Sequence, residues 1–276
     1  MKLLMKHLRR DKRLLVTGLF IAGIVLMAVL APVLSSYDAN EMRSAHRLES
    51  PSRQFLLGTD SFGRDTMSRL LSGSRITLFI SVVSVVIGAV AGVSLGLVAG
   101  FSGGWIESVI MRSMDAALTL PPIVLSIFVV SFIGSTLFNV TGVIAVLSIP
   151  RFARLAYGST ISVKQNEYVE AMKAVGASTP RILYKAILPN IAGPIFVQAS
   201  LSLAHAILTE SSLSFLGLGP PPDIASWGRM IEQSYRFMHL NAHTIIWPAL
   251  MISLTVLAFN ILGDAVRDLI DPRLRS

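Results

Sequence analysis

The stretch EAMKAVGASTPRILYKAILP, residues 170–189, decides the fold because it places charged, helix-forming sequence between two strongly apolar stretches. Residues 167–174 are mostly good helix formers, and Gly176 is the residue type that ends a helix in a left-handed conformation without a Cβ penalty. The pattern predicts a short helix that ends at Gly176.

A second helix is predicted directly after this glycine. Ser178 or Thr179 can cap it, and Pro180 fits its first turn, where a missing N–H costs nothing. Pro189 is expected to stop or kink it. Two short helices would then form a charged hairpin, although the same residues are also compatible with an ordinary amphipathic surface loop.

The composition around this hairpin is that of a membrane protein. The 276 residues are 53% hydrophobic and only 14% charged, with a mean hydropathy of +0.65, which is too apolar for an ordinary soluble domain. The net charge of +8 comes without the interleaved aromatic residues of a nucleic-acid groove, so no nucleic acid is expected as a partner. The chain has no cysteine, which excludes disulfides, thiolate metal sites and a cysteine nucleophile.

Six apolar stretches approach the roughly 20 residues that a helix needs to cross a bilayer. The first is longer than a signal-peptide core, although cleavage at residues 31–33 is an alternative. In the fourth, Pro150, Arg151 and Arg154 interrupt the apolar run, so residues 140–149 are interpreted as its buried half. The predicted spans are residues 14–34, 77–101, 115–134, 139–157, 191–215 and 244–263.

The distribution of charge predicts which side of the membrane each loop occupies. Residues 151–185 carry six Lys or Arg against two acids, which places the hairpin in the cytoplasm by the positive-inside rule. With six spans, both termini are then cytoplasmic and residues 35–74 lie outside.

Four glycines at intervals of four form a small-residue ridge along the second span: Gly88, Gly92, Gly96 and Gly100. Such ridges let helix backbones approach closely in a bilayer, where hydrophobic burial gives no net drive to associate. We interpret the ridge as a packing surface, within the fold or against a partner, rather than as a transport site.

Glu210 is an ionisable residue inside the fifth span, beside Ser211 and Ser212. An ionised group at bilayer depth costs at least about 2.5 kcal/mol and usually faces protein or a water-filled cavity. We hypothesise that these residues border a translocation path or steady its wall through a hydrogen bond. A position near the outer interface, or pairing with a neighbour, is the equal alternative.

The sequence lacks the motifs of several enzyme classes. It contains no Gly-x-x-x-x-Gly-Lys-Ser/Thr phosphate loop, no His-Glu-x-x-His zinc motif and no Gly-x-Ser-x-Gly elbow. His205, His239 and His243 are scattered, and each is interpreted as a packing or hydrogen-bonding residue rather than a metal ligand. The chain is therefore expected to be neither an enzyme nor the holder of a metal or another cofactor.

The hairpin also resembles the EAA loop of permease subunits of bacterial ABC importers, in which Glu-Ala-Ala precedes a glycine and, further on, a Leu-Pro pair. The matching residues are Glu170, Ala171, Gly176, Leu188 and Pro189. Two positions depart from the pattern, since Met172 replaces the second Ala and Ala186 stands where Ile is usual. Both departures are apolar substitutions on a helix.

Three further segments resemble the dipeptide, oligopeptide and nickel branch of that family. They are LGTDSFGRD at residues 57–65, LSFLGLG at 213–219 followed by SWG at 226–228, and FNILGD at 259–264 followed by DPR at 271–273. Together with the loop they cover nearly the whole chain in the order that the branch shows.

This resemblance implies an all-α integral membrane protein with six transmembrane helices and the type I ABC importer permease fold. The ATPase-coupling residues would be Glu170, Ala171, Gly176, Ala177, Arg181, Leu188 and Pro189. The implied division is a cytoplasmic N-terminus at 1–13, a first helix at 14–34, an outer segment at 35–74, a permease core at 75–264 that includes the coupling loop at 158–190, and a cytoplasmic C-terminus at 265–276.

The resemblance also implies partners. These are a second permease subunit that forms a heterodimer with this chain, two ATP-binding subunits that hold ATP and Mg, and an external substrate-binding protein, all at the bacterial inner membrane. The expected cargo is a di- or oligopeptide, and nickel or another metal chelate is the alternative within the family. A stand-alone channel or secondary carrier is a further alternative, although the sequence shows no convincing inverted repeat or paired broken helices.

Overall fold

The computed structural model describes residues 12–270, and its regular structure there is helical apart from one antiparallel bridge between Thr59 and Asp65. The basic residues before Lys12 and the DPR segment at 271–273 lie outside the described residues. The helices are α1 Lys12–Leu34, α2 Thr66–Ser102, α3 Gly104–Leu118, α4 Pro122–Ile133, α5 Leu137–Lys164, α6 Glu167–Ala174, α7 Thr179–Phe215, α8 Trp227–Tyr235 and α9 His243–Ile270.

Five of these helices are long and apolar enough to cross a membrane, namely α1, α2, α5, α7 and α9. Helices α3 and α4 together make a sixth candidate, but they are bent by 89°. The prediction of one continuous span at 115–134 is therefore corrected to two helices with a break at residues 119–121. Pro121 and Pro122 explain the break, because a residue that precedes proline is pushed out of the helical region while proline fits the first turn of a new helix.

The second span begins earlier than predicted. Helix α2 starts at Thr66, inside the predicted outer segment 35–74, because Asp65 caps it. The Asp65 carboxylate accepts hydrogen bonds from Ser68 N at 2.8 Å and Ser68 Oγ at 2.7 Å, which satisfies a backbone donor of the first turn. The outer segment is correspondingly shorter.

The fourth span is continuous, so the residues that interrupt its apolar run do not break the helix. Helix α5 runs through Pro150, which is buried, and α2 packs along it through the glycine ridge. A Cβ added to Gly92 would lie 2.7 Å from Phe152 Cβ and 3.0 Å from Ala153 N, so the two backbones pass too closely for any side chain. The ridge therefore packs within the fold.

Pro189 does not end the second helix of the hairpin, so of the two predicted outcomes the stop is excluded and a kink stays a prediction. The helix that begins at Thr179 continues to Phe215 through a π-helical turn at Leu183–Ile187. Pro189 lies in the first turn after this π turn, where the altered hydrogen-bond pattern accommodates its missing N–H. The hairpin thus consists of the short helix α6 and the beginning of the long span α7.

A buried charge network fixes the outer segment to α8. Asp60 accepts a hydrogen bond from Arg64 Nε at 2.7 Å and lies 3.5 Å from Arg69 Nε. Gln233 of α8 accepts hydrogen bonds from Arg64 at 2.7 Å and Arg69 at 3.1 Å. Because Arg64 and Arg69 are both buried, these bonds supply the partners that a buried charge requires.

Candidate functional site

Gly176 ends α6 with the geometry that the sequence predicts. Its φ is +74°, in the left-handed region that favours glycine. Gly176 N–H donates to Lys173 O and Ala177 N–H donates to Met172 O, both at 3.0 Å, which is the hydrogen-bond pair of a Schellman motif. Met172 and Ala177 also pack on the same core cluster. The turn is therefore fixed by backbone hydrogen bonds and by an apolar contact.

The inner side of the hairpin belongs to the core of the helix bundle. Val169 of α6 is fully buried in the cluster that contains Ile182 and Ile187 of α7 and Phe152 of α5. Lys164 Nζ, at the end of α5, donates to Phe101 O of α2 at 2.6 Å. A displacement of the hairpin would therefore be carried directly into these long helices.

The opposite side of the hairpin is exposed and mixes apolar with charged side chains. Val175 is 82% exposed and Tyr184 is 60% exposed, so both side chains are accessible to a partner. Of the predicted coupling residues, the exposed ones are Glu170, Ala171, Gly176, Arg181 and Pro189. Ala177 and Leu188 pack against the core instead.

Glu210 lies in a closed cluster of hydroxyl groups. It is fully buried, and Ser214 Oγ donates to its Oε1 at 2.8 Å. Thr77 Oγ1 and Ser211 Oγ donate to its Oε2, each at 3.4 Å, and Ser226 Oγ lies 3.4 Å from Ser214 Oγ. The cluster thus joins α2, α7 and the segment that precedes α8.

Ser212, the third residue predicted for a translocation path, points away from this cluster. It is exposed and donates to Leu208 O of its own helix at 2.8 Å. The structure therefore brings Glu210 and Ser211 together and separates Ser212 from them. Pairing with neighbours was one of the interpretations left open for Glu210, and a role in a translocation path stays a prediction.

A polar cavity of about 50 Å³ lies between α5 and α7, at a place where the sequence predicts no site. Arg151 of α5 and His205 of α7 line it, together with Ser148, Ser202 and Thr209. From the sequence, Arg151 marks the point where the fourth span leaves the membrane, and His205 is a packing residue. The signal that could have found the cavity was two ionisable residues inside apolar helices.

A wider cavity of about 910 Å³ opens beside the outer segment, at the beginning of α2. Tyr37 and Asn40 of the outer segment line it together with Arg75 and Asp223. The cavity is therefore lined by a cationic and an anionic side chain, and it lies at the end of the bundle opposite the hairpin. Within residues 12–270, no group of three or more His, Cys, Asp or Glu side chains is arranged to hold a metal ion.

Two family descriptions match this chain. Residues 92–276 match the family described as binding-protein-dependent transport system inner membrane component. Residues 1–51 match the description N-terminal TM domain of oligopeptide transport permease C.

Relatives with similar sequences extend over nearly the whole chain. The glutathione transport system permease protein GsiD of Pectobacterium atrosepticum is 44% identical over 260 residues, covering 94% of this chain and 86% of that protein. The dipeptide transport system permease protein DppC of Alkalihalophilus pseudofirmus is 38% identical, covering 98% and 89%. The di/tripeptide transport system permease protein DppC of Pseudomonas aeruginosa is 39% identical, covering 94% and 87%.

A solved structure shares the fold. A chain from an inward-facing structure of the MetNI methionine ABC transporter aligns with a TM-score of 0.61 at 19% identity, covering 75% of this chain and 98% of that chain. The all-helical permease fold is therefore confirmed.

Proposed function

From the premise that this chain belongs to the family of binding-protein-dependent transport system inner membrane components, we propose that it is the permease subunit of an importer for short peptides. The chain is a multi-pass protein of the bacterial inner membrane and a non-catalytic permease subunit of an ABC importer. ATP hydrolysis belongs to separate subunits of such an importer.

The observation that carries the coupling role is the two-sided hairpin. Its inner side is part of the bundle core through Val169, and its outer side exposes Val175 and Tyr184 beside charged residues. In this proposal the outer side docks on an ATP-binding subunit, because exposed apolar side chains with charges around them are typical of a protein interface. Closure of the ATP-binding subunits then moves α5 and α7 as rigid bodies.

The assembly proposed around this chain has a second permease subunit as its heterodimeric partner, two ATP-binding subunits in the cytoplasm and an external binding protein. Both termini and the hairpin lie in the cytoplasm, as the positive-inside rule predicts. The binding protein then delivers cargo at the end of the bundle where the outer segment and the 910 Å³ cavity lie.

Short peptides are the proposed cargo because the relatives are named for dipeptides, di/tripeptides and glutathione, which is itself a tripeptide. Glu210 and Ser211 steady the wall of the path through hydrogen bonds to neighbouring elements. Ser212 and its exposed surroundings border the path on the other side of α7.

Purification in mild detergent from the native membrane tests the assembly. A tagged copy of this chain should retain the second permease and the ATP-binding subunits, and mass spectrometry should count one of the former and two of the latter. Recovery of the chain alone under several detergents would favour a stand-alone carrier. Import of nickel but not of dipeptides by the purified assembly would show that the cargo is a metal chelate and not a peptide.

The Gly176→Asp variant tests coupling. It should insert in the membrane at the normal level and abolish transport, because it places a charge on the docking side and strains the turn by about 1–3 kcal/mol. Gly176→Ala brings the strain without the charge, since an added Cβ meets nothing within 4 Å, and should retain partial uptake.

Gly217→Asp is the matched control for this experiment. Gly217 also has a positive φ, +82°, it lies in the same type of Schellman hydrogen-bond pair at the end of α7, and an added Cβ would meet nothing within 4 Å, but it is not in the hairpin. It should retain uptake. Normal transport by Gly176→Asp at normal expression would refute the coupling role.

A further inference from the structure

Arg151 lies inside α5, a helix long and apolar enough to cross a membrane. It is close to the middle of α5, about 20 Å along the helix axis from either end at a rise of about 1.5 Å per residue. His205 lies about 15 Å from the end of α7 at Phe215, which is about half of the thickness of the hydrocarbon core. Both residues therefore lie well inside membrane-spanning helices, where lipid would provide no partner for a charge.

The Arg151 guanidinium has no partner among the described residues either. The guanidinium forms no hydrogen bond or ion pair with any residue in the range 12–270, and the His205 ring likewise forms none there. Arg151 is half-buried and His205 is exposed. Because arginine stays charged under all physiological conditions, and because a cation facing lipid at this depth costs about 2.5–3.5 kcal/mol or more, this face must meet water or an anionic group.

The lining of the cavity indicates which charge it accepts. None of the described residues around it is acidic, and its polar members besides Arg151 and His205 are Ser148, Ser202 and Thr209. Ser148 and Thr209 donate to carbonyl groups of their own helices, at 2.9 and 2.8 Å. The guanidinium is therefore the strongest unused donor at the cavity, and its planar fork matches a carboxylate.

We propose that Arg151, with His205 beside it, forms a carboxylate-binding site at the centre of the translocation path. The group it binds is the free α-carboxylate that short peptides carry. This inference rests on the proposed peptide-import function and adds a residue that recognises the cargo within the membrane. The site would favour peptides with a free C-terminus while the external binding protein makes the initial selection.

The test uses the complete importer, reconstituted in lipid vesicles with its binding protein, and compares ATP-driven uptake by three variants. The probe is whichever of alanyl-alanine and glutathione the wild type imports. Arg151→Gln removes the charge, Arg151→Lys keeps the charge but not the fork, and Arg267→Gln removes an arginine near the end of α9 as the control.

We expect Arg151→Gln to lower uptake by about 10- to 100-fold, as for the loss of a hydrogen bond to a charged group. Arg151→Lys should lose less, and Arg267→Gln should transport like the wild type. ATPase stimulation by the loaded binding protein and the amount of assembled complex should be unchanged in all three, because the site acts on cargo and not on coupling.

Wild-type uptake by Arg151→Gln would overturn the inference, as would equal losses in Arg151→Gln and Arg151→Lys. Dissociation of the second permease from Arg151→Gln would also overturn it, because it would show that the arginine pairs with a partner subunit. If the wild type itself imports neither peptide, the proposed function fails, and this outcome is distinct from the failure of Arg151 in a working importer.

Discussion

Glu210 and Arg151 are both ionisable residues at membrane depth, yet their surroundings are opposite. Glu210 is fully buried and accepts hydrogen bonds from Ser214, Thr77 and Ser211. Arg151 is half-buried beside a cavity, and its guanidinium forms no hydrogen bond within residues 12–270. The difference teaches that depth alone does not make a charged residue functional. In the proposed importer, a charged residue whose hydrogen bonds are made within its own chain supports the wall of the path, whereas an unpaired guanidinium is available to the cargo.

The largest expected effect comes from Gly92→Leu. This change would disrupt the packing of α2 against α5, which holds both the Glu210 cluster and the Arg151 cavity in place. The added side chain would meet Phe152 Cβ at 2.7 Å, one residue from Arg151, and force α5 away from α2. Overpacking of this kind costs about 1–3 kcal/mol, and more where backbone is the obstacle. We expect loss of assembled complex and of uptake, measured by size-exclusion chromatography and vesicle transport.

Val90→Leu provides the matched control for this change. Val90 is on the same helix but is 65% exposed, so the larger side chain should leave assembly and uptake unchanged. Normal assembly of Gly92→Leu would show that α2 and α5 do not pack as closely as the structure indicates.

A smaller effect is expected from Glu210→Leu. It removes the acceptor of the Ser214 hydroxyl and leaves a buried donor unpaired, which costs about 1–3 kcal/mol. The melting temperature of the purified complex should fall by about 2–12 °C, and uptake should fall only in proportion to the complex that survives. Ser212→Ala, which alters an exposed hydroxyl on the same helix, should leave the melting temperature unchanged. A stable Glu210→Leu complex would mean that the cluster contributes little to the wall.

The smallest effect is expected from Glu210→Gln, which keeps the shape and the acceptor oxygen. The hydroxyl groups can rotate to suit the amide, so uptake per assembled complex should match the wild type. A strong loss of uptake in a normally assembled complex would show that Glu210 itself acts on cargo, and the contrast with Arg151 would disappear.

The hairpin was predictable because its signals are local. The left-handed Gly176 and the helix starts around it follow from residues a few positions apart. Pro189 does not stop the helix, because proline does so only where its missing N–H is needed and the π turn before it removes that need. The pair Pro121 and Pro122 is a local sequence signal for the break between α3 and α4, because a residue that precedes proline is pushed out of the helical region.

The membrane interior was less predictable because its chemistry depends on which helix faces meet. Glu210 is recognisable as unusual from the sequence, but its partner Thr77 lies 133 residues away. Arg151 next to Pro150 resembles the end of a span, and only the packing of α2 along α5 shows that the helix continues. The cavity shared by Arg151 and His205 exists because α5 and α7 meet there.

Thiol labelling of the assembled importer tests the central contrast most directly, since this chain contains no cysteine of its own. His205→Cys and Ser211→Cys would be exposed separately to a charged, membrane-impermeant thiol reagent, and modification would be read from the mass of this chain. We predict that the thiol at position 205 reacts from water, whereas the thiol at position 211 stays unmodified until the complex is unfolded. Rapid labelling at 211 with none at 205 would contradict the account, because the water-filled path would then run through the hydroxyl cluster.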